Sequence, residues 1–174
     1  KALIRTRGAT SRIYDKKGYL IKFKEDDLIT NKKVSLSDMT ADDEWVLHGP
    51  FLDKTLIRNY ICYNLAGEIM EYAPYVRFCE AYLNGEYIGL YLLVEKVGYN
   101  KNGRIQISKT DPDIAETSYI VKIDRQNSDP LESISTFSRE SLFSSSLSSN
   151  TGYMSIVYPA LTLTEEQRRY IISD

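Results

Sequence analysis

The chain has 174 residues, 43% apolar and 26% charged, the make-up of one ordinary globular domain or one lobe of a two-lobed protein. Its 22 basic and 24 acidic side chains leave a net charge of −2, which excludes a global field that would draw nucleic acid or an anionic membrane. No apolar run approaches the roughly 20 residues that cross a bilayer, and a single histidine excludes histidine triads and multi-histidine metal sites within the chain.

Leu3 to Arg7 alternates apolar and basic residues and predicts a strand, and Tyr19 to Phe23 predicts its neighbour after Lys16-Lys17-Gly18. The connection between them begins Gly8-Ala9-Thr10-Ser11-Arg12, small and polar, a composition that lets backbone amides approach an anion. Lys24 to Asp43 is polar and acidic and reads as surface, with a short strand near Lys33 to Leu36. Trp45-Val46-Leu47 returns to the core, and Gly49-Pro50 turns the chain.

Asp53 is a candidate N-cap for a helix running to about Met70, with Leu56, Ile57, Tyr60, Ile61, Asn64, Leu65, Glu68 and Ile69, most of them apolar, at helical spacing. That composition makes it the main core helix, ended before Ala73-Pro74. Val76 to Glu95 reads as a β-hairpin turning at Asn84-Gly85, whose residues suit the positive φ angles of a type I′ turn. The returning strand is apolar on both faces from Ile88 to Val94 and should be covered on both sides.

Asn102-Gly103 predicts another reversal into a strand at Arg104-Ile105-Gln106-Ile107. Ser118 to Ile123 and Tyr153 to Tyr158 predict two more strands, separated by a serine-rich loop or hairpin over 126–151. Thr164-Glu165-Glu166-Gln167 spells a capping box for a final helix. Cys62 and Cys79 lie among apolar neighbours and read as buried thiols. His48 reads as a loop residue without chemistry. The start at Lys1 rather than Met reads as an excised or processed piece of a longer protein, silent on targeting.

Several segments stand in one order: Ile4-Arg5-Thr6-Arg7-Gly8-Ala9-Thr10-Ser11, Lys16-Lys17-Gly18-Tyr19, Trp45-Val46-Leu47 and Asp53 through Tyr60. Tyr72-Ala73-Pro74, Leu83 through Lys96 and Ile123-Asp124-Arg125 complete the series. Together they resemble the CotH (spore-coat protein H) kinase family. The resemblance implies an α+β fold, a mostly antiparallel sheet packed on one main helix, like the amino-terminal lobe of an atypical protein kinase. It implies ATP and Mg²⁺ as cofactors and protein Ser or Thr hydroxyls as acceptors. It also implies a bacterial setting in the spore coat, at the cell surface or in secretion. Residues 1–160 would form the nucleotide-binding lobe and 161–174 the start of a helix leading to a further lobe. The family's later aspartate motifs, of the types Asn-x-x-Asp and Trp-Asp-Phe-Asp, do not occur here, so no catalytic residue is expected in this chain and the piece alone should be inactive.

By the same resemblance, Arg7, Gly8 and Ser11, with Lys17 and Lys22, form a candidate phosphate cradle; Ala9 stands where the family has asparagine, and the choice between Lys17 and Lys22 stays open. The competing reading is that these basic residues solvate edge strands. Glu95 would border the adenine, where backbone groups of Val94 to Val97 could bond the base; the competing reading is a strand ending in solvated charge. Glu68 is a candidate helix partner for the lysine, and Asp124 a candidate metal ligand. The alternative function is a non-catalytic scaffold or interaction module of a secreted, surface or spore-coat protein.

Overall fold

The computed structural model describes residues 1–8, 10–98, 104–108, 111–124, 136–137, 153–159 and 163–173, with backbone only at 122–124, 136–137 and 153–155. The chain divides into two compact units, Lys1–Gln106 and Ile107–Asp174.

In the first unit the strands are β1 (Ala2–Arg7), β2 (Gly18–Phe23), β3 (Glu44–His48), β4 (Val76–Leu83) and β5 (Glu86–Glu95). They form an open antiparallel sheet in the order β1-β2-β3-β5-β4. One helix, α1 (Arg58–Ile69), lies between β3 and β4 in sequence. The expected α+β class, an antiparallel sheet with one main helix, is what folds. The β4–β5 turn has Asn84 at φ 53° and Gly85 at φ 83°, the left-handed pair that a type I′ turn requires.

Alternation along each strand sorts the core into two faces. On one, Leu20, Val46, Val76, Leu92 and Val94 are buried and receive Tyr60 and Tyr63 from α1. On the other, Met39, Trp45 and Leu93 are buried, with Ile21, Phe23, Leu36, Leu47 and Cys79 packed around them. The carboxyl half of β5 is thus covered on both sides, as its unbroken apolar run predicts.

Five expectations need correction. The helix does not start after Asp53: Leu56 adopts φ +61°, outside the helical region, and α1 begins at Arg58. Asp53 still caps it from a distance, its carboxylate accepting from the Arg58 N–H at 2.9 Å and from the Thr55 hydroxyl at 2.6 Å. Nor is α1 a core helix, since none of its residues is buried. It meets the sheet through Tyr60 and Tyr63, and Tyr60 stacks on Phe78 at 4.7 Å, while Ile61, Leu65 and Ile69 stay exposed. Cys62 is on the exposed side with them; it and the half-buried Cys79 are both free thiols.

Lys33 to Leu36 contributes only an isolated bridge between Val34 and Asp42. Residues 104–107 form no strand: the Arg104 guanidinium is drawn onto Glu95, donates to the Ala73 carbonyl at 3.0 Å and lies over the Tyr75 ring at 3.6 Å. The proposed turn at Asn102-Gly103 and most of the serine-rich segment lie outside the described residues.

In the second unit β6 (Ile120–Asp124), β7 (Thr136–Phe137) and β8 (Tyr153–Tyr158) pair antiparallel in the order β6-β8-β7. Helix α2 (Glu165–Ser173) opens on the expected capping box. The Gln167 N–H donates to the Thr164 hydroxyl at 3.3 Å, and the Thr164 N–H to the Gln167 amide oxygen at 3.1 Å. The Gln167 amide nitrogen, fully buried, also donates to the carbonyls of Asp111 at 2.6 Å and Ile114 at 2.8 Å. Gln167→Ala removes a buried side-chain amide that makes one of the capping bonds and two bonds to the 111–114 segment and should cost the second unit about 1–3 kcal/mol, read by urea denaturation followed by far-UV circular dichroism. A loss below about 0.5 kcal/mol would show that water replaces the amide.

Candidate functional site

The chain leaves β1 at Gly8, which sits at φ +114°; a Cβ built there would lie 2.0 Å from the Ser11 Oγ, so a residue without a side chain suits the path. A 3₁₀ turn over Thr10–Ile13 follows, and Lys17 braces it by donating its ammonium to the Arg12 carbonyl at 2.8 Å. A cavity of about 60 Å³ is lined by Arg7, Gly8, Ser11, Gly18, Leu47, His48 and Gly49. Arg7 pairs with Gly18 in the β1–β2 register, and the next strand over supplies His48. Strand alternation puts Arg7, Gly18 and His48 on the face that bears α1, and the missing side chain at Gly18 leaves the gap between Arg7 and His48. Burial, and then the nearby Arg7 guanidinium, push the His48 imidazole below its usual pKa.

A second basic arrangement lies on that same face. Lys22 pairs in register with Glu44 and forms an ion pair with it, and Lys96, just past β5, grips the other oxygen of the same carboxylate. Glu44 is buried, while both lysines keep part of their surface in water. Lys22 is four residues along β2 from Gly18, about 13 Å at the rise of a strand, so the cavity and Lys22 do not converge on one phosphate group.

The structure thus brings Arg7, Gly8 and Ser11 together, with Lys17 bracing their loop, and places Lys22 apart from them. Ala9 lies outside the described residues. Glu68 is exposed on α1; the acid that meets Lys22 is Glu44, on the neighbouring strand rather than the helix. Glu95 is not a solvated strand end. It is buried, its carboxylate accepts from the Tyr75 N–H at 3.1 Å and pairs with Arg104, and its own N–H donates to the Tyr75 carbonyl at 3.0 Å. Asp124 lies in β6 of the second unit, where its backbone pairs with Tyr153; its side chain and Arg125 are outside the described residues. Among the described residues no group of three His, Cys, Asp or Glu side chains is placed to hold a metal ion.

Three site residues escaped the sequence reading. Glu44 stands next to the apolar Trp45-Val46-Leu47, a signal that it enters the core, but its pairing with Lys22 depends on register. His48 ends β3 instead of lying in a loop, and it and Lys96 become neighbours of the site only once β3 and β5 are laid side by side.

The fold and the site define an α+β protein whose open antiparallel sheet carries two basic arrangements on its helix-bearing face. Comparison with protein families matches residues 4–167, nearly the whole chain, to the CotH kinase protein family, and the chain belongs to that family. A search of curated proteins returned no match. Kinase-family membership brings with it nucleotide and metal use in general, and a protein as the kind of substrate. Among the described residues no helix is long and apolar enough to cross a membrane.

Proposed function

We propose that this chain is the ATP-binding portion of a CotH-type atypical protein kinase, holding the nucleotide's phosphates on the helix-bearing face of the first sheet for transfer to a Ser or Thr hydroxyl. The observation that carries the reading is Lys22 held by the buried Glu44. Protein kinases bind phosphates with a strand lysine paired to a glutamate, the pair fixing where the ammonium points. Here the acid comes from an adjacent strand, and Lys96 shares it. The family match across residues 4–167 supports the same reading.

Phosphoryl transfer needs cations and backbone amides around the phosphates, ligands for a divalent ion, and a positioned acceptor. The described residues suit the first need: Arg7, Lys22 and Lys96 supply charge, and Gly8 allows close approach of backbone. They do not fit the metal, having no cluster of acidic, cysteine or histidine ligands among them. The work of these residues is to bind and orient the phosphates and to offset their charge.

Titrating ATP with Mg²⁺ into the ¹⁵N-labelled protein should shift the amides of Gly8, Ser11 and Val94 to Val97. Lys22→Met should weaken binding about 10- to 100-fold, the worth of one charge-assisted hydrogen bond. No amide shift at millimolar ATP would sink the reading and leave the non-catalytic scaffold in its place. Binding unaffected by Lys22→Met would move the phosphates elsewhere.

A further inference from the structure

We infer that the Arg7–Gly18–His48 cavity is a proton-linked site for a tetrahedral oxyanion, in which His48 is the switchable contact. The inference deepens the phosphate-binding reading by assigning His48 to it.

Size comes first. A single water takes roughly 10–15 Å³ of such a cavity, and this one measures about 60 Å³. It therefore has room for a group the size of a phosphate or sulfate.

Charge comes second. Arg7 is the permanent cation, and none of the described lining residues is acidic. The surroundings of His48 can be taken element by element. From β1 comes Arg7; β2 contributes Gly18 and β5 places Leu92 opposite His48, neither of which titrates. From the loop before β2, the Lys17 ammonium is turned onto the Arg12 carbonyl, and the Lys16 ammonium lies over the Tyr91 ring at 4.8 Å. Past Gly49-Pro50, the Asp53 carboxylate is engaged by Thr55 and Arg58. In the empty site, then, a proton on His48 meets burial and the Arg7 charge, both unfavourable to it. An oxyanion between the two supplies the missing countercharge, and the imidazolium can donate to its oxygens.

The sign follows from linkage. In the free protein the folded-state pKa of His48 is below that of the unfolded chain, so stability is full above the ordinary histidine range and falls as pH drops through it. Bound anion raises the His48 pKa. By reciprocity the anion binds more tightly as pH falls, by about tenfold for each unit that the pKa rises.

Sulfate is the suitable probe, being a dianion throughout the range in which histidine titrates. Because the chain has one histidine, its imidazole proton resonance is unambiguous. At constant ionic strength, added sulfate should move the His48 titration midpoint up, shift the amides of Gly8 and Ser11, and bind at least several-fold more tightly at pH 5.5 than at pH 8, a range set to bracket the ordinary histidine value. In His48→Gln the tightening at low pH should vanish. Amide shifts at Gly8 and Ser11 with an unmoved His48 midpoint would overturn the inference and leave the phosphate cradle standing. Silence at Gly8, Ser11 and His48 alike would overturn it as well, and the ATP titration would then decide the nucleotide reading by itself.

Discussion

Glu95→Ala should destabilise the first unit by about 3–5 kcal/mol, the cost of removing one partner from a buried, hydrogen-bonded ion pair. The Glu95 side chain is 2% exposed and that of Arg104 only 20%, so the guanidinium left behind is largely out of water. The Tyr75 N–H loses its acceptor at the same time. Arg104 keeps its bond to the Ala73 carbonyl and its place over the Tyr75 and Tyr72 rings, which holds it near the vacated site instead of letting it swing into solvent. Trp45 is the chain's single tryptophan and lies in this unit, so its fluorescence during urea denaturation reports this unit and not the other. Each kcal/mol corresponds to roughly 4–8 °C in the melting midpoint of a unit this size. Glu95→Ala/Arg104→Ala should recover part of the loss, with a coupling of about 1–3 kcal/mol. A single mutant within 1 kcal/mol of the parent would mean the pair is not formed in solution. This carboxylate thus joins the end of β5 to the segment before β4, where Val94 is laddered between β3 and β4 and the Glu95 N–H is bonded to the Tyr75 carbonyl.

Trp45→Ala should cost about 3–5 kcal/mol, the range for emptying a fully buried indole site. Trp45 has no exposed surface, packs with Met39 and Leu93, and donates its indole N–H to the Asp42 carbonyl at 3.2 Å. The cavity would open under β3, the middle strand of five, on the face opposite Glu44 and Lys22. Under the proposed nucleotide-binding role, affinity in the fraction that stays folded should therefore change little, because the Lys22–Glu44 pair lies on the other face. Far-UV circular dichroism during urea denaturation measures the first effect and titration with ATP the second. Trp45→Phe keeps most of the volume and loses the N–H, so a smaller cost, about 1–2 kcal/mol, is expected of it. Equal losses for Ala and Phe would place the importance of the site in the hydrogen bond rather than in packing.

Local chemistry explains which parts of the molecule could be read from residues in a row. Asn84-Gly85 specifies its turn because those residues tolerate positive φ, and Thr164 with Gln167 specifies the start of α2 because two side chains satisfy two backbone N–H groups three residues apart. The boundaries of β8, Tyr153–Tyr158, followed from a β-rich run ended by proline. The start of α1 did not follow: Asp53 does cap it, but from five residues away, across a left-handed Leu56 that no propensity scale selects. The same helix carries apolar residues nearly all round, so periodicity could not choose between the face of Tyr60 and Tyr63 and that of Ile61 and Leu65.

Sequence alone determined the antiparallel hairpin with its apolar returning strand, the small polar loop after Arg7 and the family to which their order points. Tertiary structure decided everything that depends on which strands lie side by side. Antiparallel register set Lys22 against Glu44, brought Lys96 to the same carboxylate, and lined Arg7, Gly18 and His48 across one face. Cross-strand neighbours are separated by tens of residues in the chain and by about 5 Å in space, and a shift of one residue would turn each of those side chains to the opposite face.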